Sequence, residues 1–95
     1  MAAYIVFTNE HTRDLKELEL YVKDHEAFIA GHALTYRARF GRYEVLEGSK
    51  AEGIAILEFP TYDEAKAWYR SRAYQEASKH RYFGGDFRCI LVEGV

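Results

Sequence analysis

The chain has 95 residues and a formal net charge of −2, and 48% of its residues are hydrophobic. This length allows one domain with a modest core, and the hydrophobic fraction excludes a disordered chain. The 13 basic and 15 acidic residues are interspersed, so no basic stripe is available to collect phosphates and we expect no nucleic-acid partner.

The N-terminus, MAAYIVFTNE, lacks the charged start and the long apolar run of a signal peptide. No segment approaches the roughly 18 apolar residues that a membrane span needs. The single cysteine, Cys89, permits no intrachain disulfide and fits a reducing compartment. We therefore expect a cytoplasmic protein with no membrane partner.

The first third of the chain predicts a strand followed by a helix. Ala3 to Thr8 is rich in β-branched and aromatic residues, which favours a strand, and the polar residues 9–13 predict a turn. Asp14 begins a helix that Gly31 ends after about four turns. The apolar stripe of this helix has a period of 3.6 residues: Leu15, Leu18, Val22, His25 and Ile29, flanked by Tyr21 and Phe28.

The middle third predicts two more strands. Residues 34–40 alternate, which places Tyr36, Ala38 and Phe40 on one face of a strand and Thr35, Arg37 and Arg39 on the other. Residues 43–46 resume an extended structure, and residues 48–53 form a hairpin loop. The next strand, Ile54 to Phe59, is a largely buried apolar run.

The last third predicts two short helices and a final strand. Pro60 ends the preceding strand, and Thr61 stands at capping-box spacing from Glu64. The first helix presents Ala65, Trp68 and Tyr69 inward. Ser71 caps the second helix, whose predicted inner residues are Ala73, Tyr74, Ala77 and His80. Gly84 and Gly85 are expected to end it at positive φ, before a strand over residues 86–92.

This order of elements is that of an α+β protein. Two split βαβ units give an antiparallel four-stranded sheet with helices on one face. The other face of the sheet is too apolar to leave in water, so we expect it to pack against a second sheet.

Several short motifs resemble those of the family known as domain of unknown function 1330, and the likeness covers essentially the whole chain. The matching residues are Leu46-Glu47-Gly48, Glu58-Phe59-Pro60, Ala65, Trp68-Tyr69, Ser71, Tyr74, Arg81 and Val92-Glu93-Gly94, with Arg39 at the end of the second strand. The family has a glycine pair where this chain has Phe40-Gly41. The resemblance implies a single ferredoxin-like βαββαβ domain over residues 1–95 that pairs into a dimeric α/β barrel. It implies no established activity.

Five residues are candidates for binding a small molecule in a pocket between the sheet and the helices: Tyr21, His25, Arg39, Glu58 and Trp68. Arg39 and Glu58 lie near strand ends, where a carboxylate and a guanidinium that meet across the sheet can orient a small polar ligand. The alternative is a structural ion pair or two solvated strand ends.

His25 has a near-neutral pKa that suits a general base or a ligand to haem iron, but such a histidine is more often a core residue whose ring nitrogens are satisfied. The aromatic residues Trp68, Tyr69 and Tyr74 either line a pocket for a flat ligand or simply fill the core. Arg81 is expected to cap the last helix or to pair with a neighbouring acid. No HxH, HExxH or CxxC spacing occurs, so we predict neither a metal site nor a cofactor.

Three functions are therefore open. The first is a homodimer with a small-molecule pocket in each subunit. The second, by analogy of fold alone, is a cofactor-free monooxygenase or a haem-degrading type of enzyme that acts on a flat aromatic substrate. The third is a non-catalytic interaction or stress-response module.

Overall fold

The computed structural model describes residues 1–95. Its elements in chain order are β1 (Ala3–Thr12), α1 (Leu15–Lys23), α2 (His25–Ile29), β2 (Thr35–Arg39), β3 (Gly53–Phe59), α3 (Tyr62–Arg70), α4 (Arg72–Gly84) and β4 (Gly85–Glu93). The strands form one antiparallel sheet in the order β2-β3-β1-β4, and the helices cover one face. The expected α+β arrangement of two split βαβ units is therefore confirmed. None of the helices has the length and apolarity that crossing a membrane requires.

The two central strands alternate strictly between a buried and a half-buried face. On β1, the residues Ala3, Ile5 and Phe7 are at most 4% exposed and pack against the helices. On β3, the alternate residues from Gly53 to Phe59 do the same. The period of two that predicted these strands also positions the core, because side chains of neighbouring strands share a face where they pair.

The opposite face of the sheet carries an apolar row that no helix covers. Ala38, Ile56, Val6 and Ile90 are consecutive cross-strand partners from β2 to β4. Ile90 is 48% exposed, and the other three are partly exposed. We call this row the open face.

The predicted helix caps are confirmed. The Thr61 hydroxyl accepts a hydrogen bond from the Glu64 backbone amide at 3.1 Å, and the Ser71 hydroxyl accepts one from the Tyr74 amide at 3.3 Å. The Asp14 carboxylate accepts a hydrogen bond from the Lys16 amide at 3.0 Å. Each bond satisfies one of the free amides of a first helical turn.

Three predicted elements were wrong. The first strand does not turn at residue 9 but runs on to Thr12, with an irregularity in pairing between Asn9 and His11. The first helix is broken at Asp24, where φ and ψ are −81° and 1°, so that α2 is a separate short helix. Residues 43–46 are not a strand.

A bulge in β2 reverses the predicted face of Arg39. Tyr36 pairs with Leu57 on the helix side, but after the bulge Ala38 pairs with Ile56 on the open face. Arg39 then pairs with Ala55, so it lies on the helix side together with Tyr36. One extra residue in a strand exchanges the faces of all residues that follow it.

The backbone leaves β2 through a left-handed residue. Phe40 has a φ of 53°, the only positive value outside glycine, and its amide donates to the Ile54 carbonyl at 2.9 Å. A left-handed conformation is unfavourable for a residue with a Cβ atom. It falls where the resemblance leads one to expect a glycine.

Gly84 and Gly85 end α4 for a different reason from the one expected, since neither has a positive φ. A Cβ atom on Gly84 would lie 2.5 Å from Cδ2 of Leu18, and one on Gly85 would lie 2.8 Å from the His11 carbonyl oxygen. The glycines are therefore needed for the close approach of α4 to α1 and of β4 to β1.

We predict that Gly84→Ala lowers the free energy of unfolding by about 1–3 kcal/mol, because the new methyl group overpacks the contact with Leu18. Urea unfolding of the purified protein measures the change. The matched control is Gly41→Ala, since a Cβ atom there has no neighbour within 4 Å. Equal stability of the two variants would contradict the proposed packing constraint.

Candidate functional site

A cavity lies between the sheet and the helices. The centres of water molecules could occupy about 30 Å³ of it, and its empty space measures about 450 Å³ when its opening to solvent is included. Most of its lining is apolar or aromatic: Phe7, Tyr21, Val22, His25, Phe28, Tyr36, Arg39, Phe40, Ala55, Leu57, Trp68, Arg81 and Phe87. Four of the five predicted site residues therefore converge on one cavity.

The rim of the cavity combines a histidine, a tyrosine and an arginine. The centre of the His25 ring lies 5.1 Å from that of the Tyr36 ring. The Arg39 guanidinium carbon lies 4.8 Å from the centre of the same Tyr36 ring. Nε2 of His25 is buried and has no hydrogen-bond partner. Burial, followed by the positive charge of Arg39, lowers the pKa of His25, while Glu26 opposes the shift. The imidazole is therefore neutral at pH 7.

The interior wall is built on Trp68, which is completely buried. Its indole N–H donates a hydrogen bond to the Phe28 carbonyl at 2.9 Å, and its ring centroid lies 4.1 Å from that of Tyr74. Because the only polar atom of the indole is satisfied by the backbone, Trp68 contributes shape and not a polar contact to the cavity.

A chain of polar groups runs along the cavity behind this wall. The Tyr21 and Tyr74 hydroxyls are hydrogen-bonded at 2.9 Å, and Nε of Arg81 donates to the Tyr74 hydroxyl at 3.3 Å. Burial raises the pKa of Tyr74 to about 12 and raises that of Tyr21 well above its ordinary value. Both tyrosines are therefore neutral phenols at physiological pH.

Glu58 lies outside the cavity and does not meet Arg39, so for Glu58 the alternative of a structural ion pair applies. Glu58 pairs with Tyr4 and Thr35 on the face opposite to that of Arg39. Its carboxylate instead accepts two hydrogen bonds from Arg37, at 3.2 and 3.1 Å. The Arg37 guanidinium holds the pKa of Glu58 below its ordinary value. Glu58 thus belongs to an ion pair on the open side of the sheet.

Arg81 is the cavity residue whose role sequence reasoning missed. Its side chain neither caps α4 nor pairs with an acid. Arg81 lies on the buried side of α4 and is only 2% exposed. The signal was present in the helical period, because residues 74, 77, 78 and 81 are all buried on α4. Two of the predicted inner residues of α4, Ala73 and His80, do not lie in the core. Ala73 is exposed, and Nδ1 of His80 lies 2.7 Å from Oε2 of Glu17.

A second pocket brings Cys89 together with Lys66, Tyr69 and Arg70. Cys89 is half-buried, and burial raises the pKa of its thiol, which disfavours the thiolate. No group of three or more histidine, cysteine, aspartate or glutamate side chains lies close enough to hold a metal ion.

The fold defines the class of protein to which this chain is similar. A dimeric ferredoxin-like protein of unknown function from a Jannaschia species superposes with a TM-score of 0.73 at 10% identity, over 99% of this chain and 100% of the other. A second dimeric ferredoxin-like protein of unknown function, from Bacteroides fragilis, gives 0.66 at 16% identity over 98% and 96%. SnoaB, a cofactor-independent oxygenase from Streptomyces nogalater, gives 0.67 at 11% identity over 99% and 93%.

The sequence assigns the chain to a family within this class. The profile of the domain of unknown function DUF1330 matches residues 2–95, and the chain belongs to that family. The resemblance noted in its motifs is therefore confirmed. Among curated proteins, none matches the chain.

We predict that His25 makes the protein less stable at mildly acidic pH. Its pKa is lower in the folded protein than its ordinary 6.5, so the unfolded chain binds the proton more tightly. The free energy of unfolding then falls as the pH drops below about 6.5, until the pH passes below the folded pKa.

Urea unfolding at pH 7 and pH 5 tests this prediction. His25→Gln should lose less stability between the two values than the native protein, whereas His11→Gln, at an exposed position, should behave like the native protein. An unchanged pH dependence in His25→Gln would show that the imidazole titrates alike in both states.

Proposed function

We propose that the protein is a cytoplasmic homodimer in which each subunit binds a small, flat organic molecule in the cavity between sheet and helices. Two observations carry the proposal: His25 lines the cavity, and its Nε2 is buried without a hydrogen-bond partner. A buried polar atom without a hydrogen bond costs about 1–3 kcal/mol, and a ligand that bonds to it recovers part of that free energy.

The lining of the cavity defines the shape of the ligand. Aromatic rings form its walls, and several of them meet edge to face, such as Phe28 with Trp68 at 6.0 Å and 68°. Flat, apolar molecules pack well against such walls. The cavity has room for the centres of only one or two waters, so a larger ligand must extend toward the side where Val22, Arg39 and Phe40 are exposed.

The open face supports the homodimer. Its apolar row spans all four strands, and such a surface is unfavourable in water. The relatives described as dimeric share the fold, which fits the pairing of two sheets. A second copy of the same face is self-complementary in the way that a two-fold interface requires.

We predict that the native protein sediments at twice its chain mass of 11.1 kDa, and that Ile56→Lys sediments as a monomer. A lysine in the apolar row would have to be buried without a counter-charge. Ala67→Lys, on the exposed side of α3, is the matched control and should stay dimeric. A monomeric native protein, or a dimeric Ile56→Lys, would contradict the interface.

A thermal-shift screen against small aromatic compounds tests the pocket. A ligand at about one hundred times its dissociation constant adds roughly 2.7 kcal/mol, which moves the midpoint of a domain this small by several degrees. We expect a shift that His25→Leu abolishes and that His11→Leu leaves intact. A shift retained in His25→Leu would place the ligand elsewhere.

A cofactor-free oxygenase is the second candidate, and the neutral His25 favours it. A neutral imidazole inside an aromatic cavity is suited to take the proton of a bound phenol, leaving an electron-rich phenolate that can react with O₂. The likeness to SnoaB supports this candidate by fold alone. Oxygen uptake with 1,4-dihydroxynaphthalene that depends on His25 would establish it. Binding without oxygen uptake would favour the non-catalytic alternative.

A further inference from the structure

Arg81 is a buried cation without a counter-ion. Its side chain is 2% exposed, and none of the five ion pairs of the protein includes it. A guanidinium does not lose its proton under physiological conditions, so the charge persists inside the fold. A buried charge is normally paired, because its removal from water is otherwise strongly unfavourable.

The groups around Arg81 hold the guanidinium in place without neutralising it. Its one side-chain hydrogen bond runs from Nε to the Tyr74 hydroxyl at 3.3 Å. Its carbon Cζ lies 5.1 Å from the ring centre of Phe7, 5.3 Å from that of Phe87 and 4.8 Å from that of Tyr82. Aromatic faces attract a cation, but they supply no negative charge.

Arg81 also lines the cavity, and this combination points to what the cavity takes. We propose that Arg81 binds the oxyanion of a small aromatic acid, either a carboxylate or the phenolate or enolate of an acidic hydroxyl group. The proposal rests on the pocket of the proposed function and names the class of its ligand. A planar guanidinium fork suits an oxyanion better than any neutral group.

The position of His25, one of the other polar groups of the cavity, fits this ligand. Aromatic rings lie between His25 and Arg81: His25 contacts Phe28, which contacts Trp68, which contacts Phe7 beneath the guanidinium. A ligand with an aromatic body and an oxyanion on one side matches this order. A second polar group on its far side would lie on the side of His25.

Pairs of probes of similar shape, one an anion and the other neutral, test the proposal. Calorimetric titration at pH 8 compares benzoate with benzamide, formate with formamide, and 4-nitrophenolate with nitrobenzene. We expect the anion of at least one aromatic pair to bind at least tenfold more tightly than its neutral partner. The pair that shows the preference distinguishes a carboxylate from a phenolate as the source of the oxyanion.

Arg81→Met is the decisive variant, and Arg72→Met, an equal change of charge at the exposed start of the same helix, is its control. Arg81→Met should abolish the preference for the anion while leaving the thermal midpoint equal to or above that of the native protein, because an unpaired buried charge has been removed. Arg72→Met should keep the preference. If Arg81→Met does not fold, Arg81→Lys tests the fork alone and should reduce the preference.

The outcomes separate this proposal from the pocket itself. Equal binding of both members of every pair, with a change in the NMR signal of the Trp68 indole, would keep the pocket and overturn the oxyanion site. An anion preference that survives in Arg81→Met would also overturn it. Failure of all six probes to bind would overturn both proposals.

Discussion

The indole of Trp68 is the contact on which the rest of the structure depends. It donates a hydrogen bond to the backbone of α2, stacks on Tyr74 of α4, and meets Phe7 of β1 edge to face at 6.4 Å. It also lies 5.4 Å from Phe59 of β3. One side chain of α3 therefore fixes two other helices against the two central strands. Truncating a buried aromatic residue of this kind costs about 3–5 kcal/mol in most proteins.

The cavity follows from this central packing. Trp68 lines the cavity, which is bounded by Tyr36 and Arg39 on the sheet and by His25 on the helix side. The two charged or titratable groups that matter, His25 and Arg81, reach the same space from different helices. The cavity has few polar atoms. Nε2 of His25 has no hydrogen-bond partner, and the Arg81 guanidinium makes a single side-chain hydrogen bond.

The overall fold was readable from the sequence because burial follows a simple period there. The residues from Ala3 to Phe7 and from Ile54 to Phe59 lie in central strands with one face in the core, and Thr61 and Ser71 cap helices through local hydrogen bonds. Such signals act between near neighbours in the chain. They need no knowledge of the tertiary structure.

The site was only partly readable because it depends on deviations from those periods. The bulge in β2 moves Arg39 to the helix side and leaves Arg37 to pair with Glu58, and no local residue pattern announces it. The break at Asp24 turns α2 so that Phe28 is buried, although Val22 of the same predicted stripe is 53% exposed. Tyr21, His25 and Trp68 nonetheless line the cavity between the sheet and the helices.

The left-handed Phe40 stands next to these deviations. It lies just after the bulge and lines the cavity. Its ring packs against Gly53, where an added Cβ atom would lie 2.9 Å from Cδ1 of Phe40. A strained residue of this kind persists only where surrounding contacts hold it. The unusual backbone of residues 37–40 thus shapes one wall of the cavity.

The central claim is that the cavity is a binding site and not a packing defect. A high-resolution crystal structure of the protein, grown with sodium benzoate, tests it most directly. We expect density for an anion within hydrogen-bonding distance of the Arg81 guanidinium, inside the cavity of each subunit of a dimer joined through the open face. A cavity filled by its own side chains, with Arg81 paired to a carboxylate of the partner subunit, would contradict it.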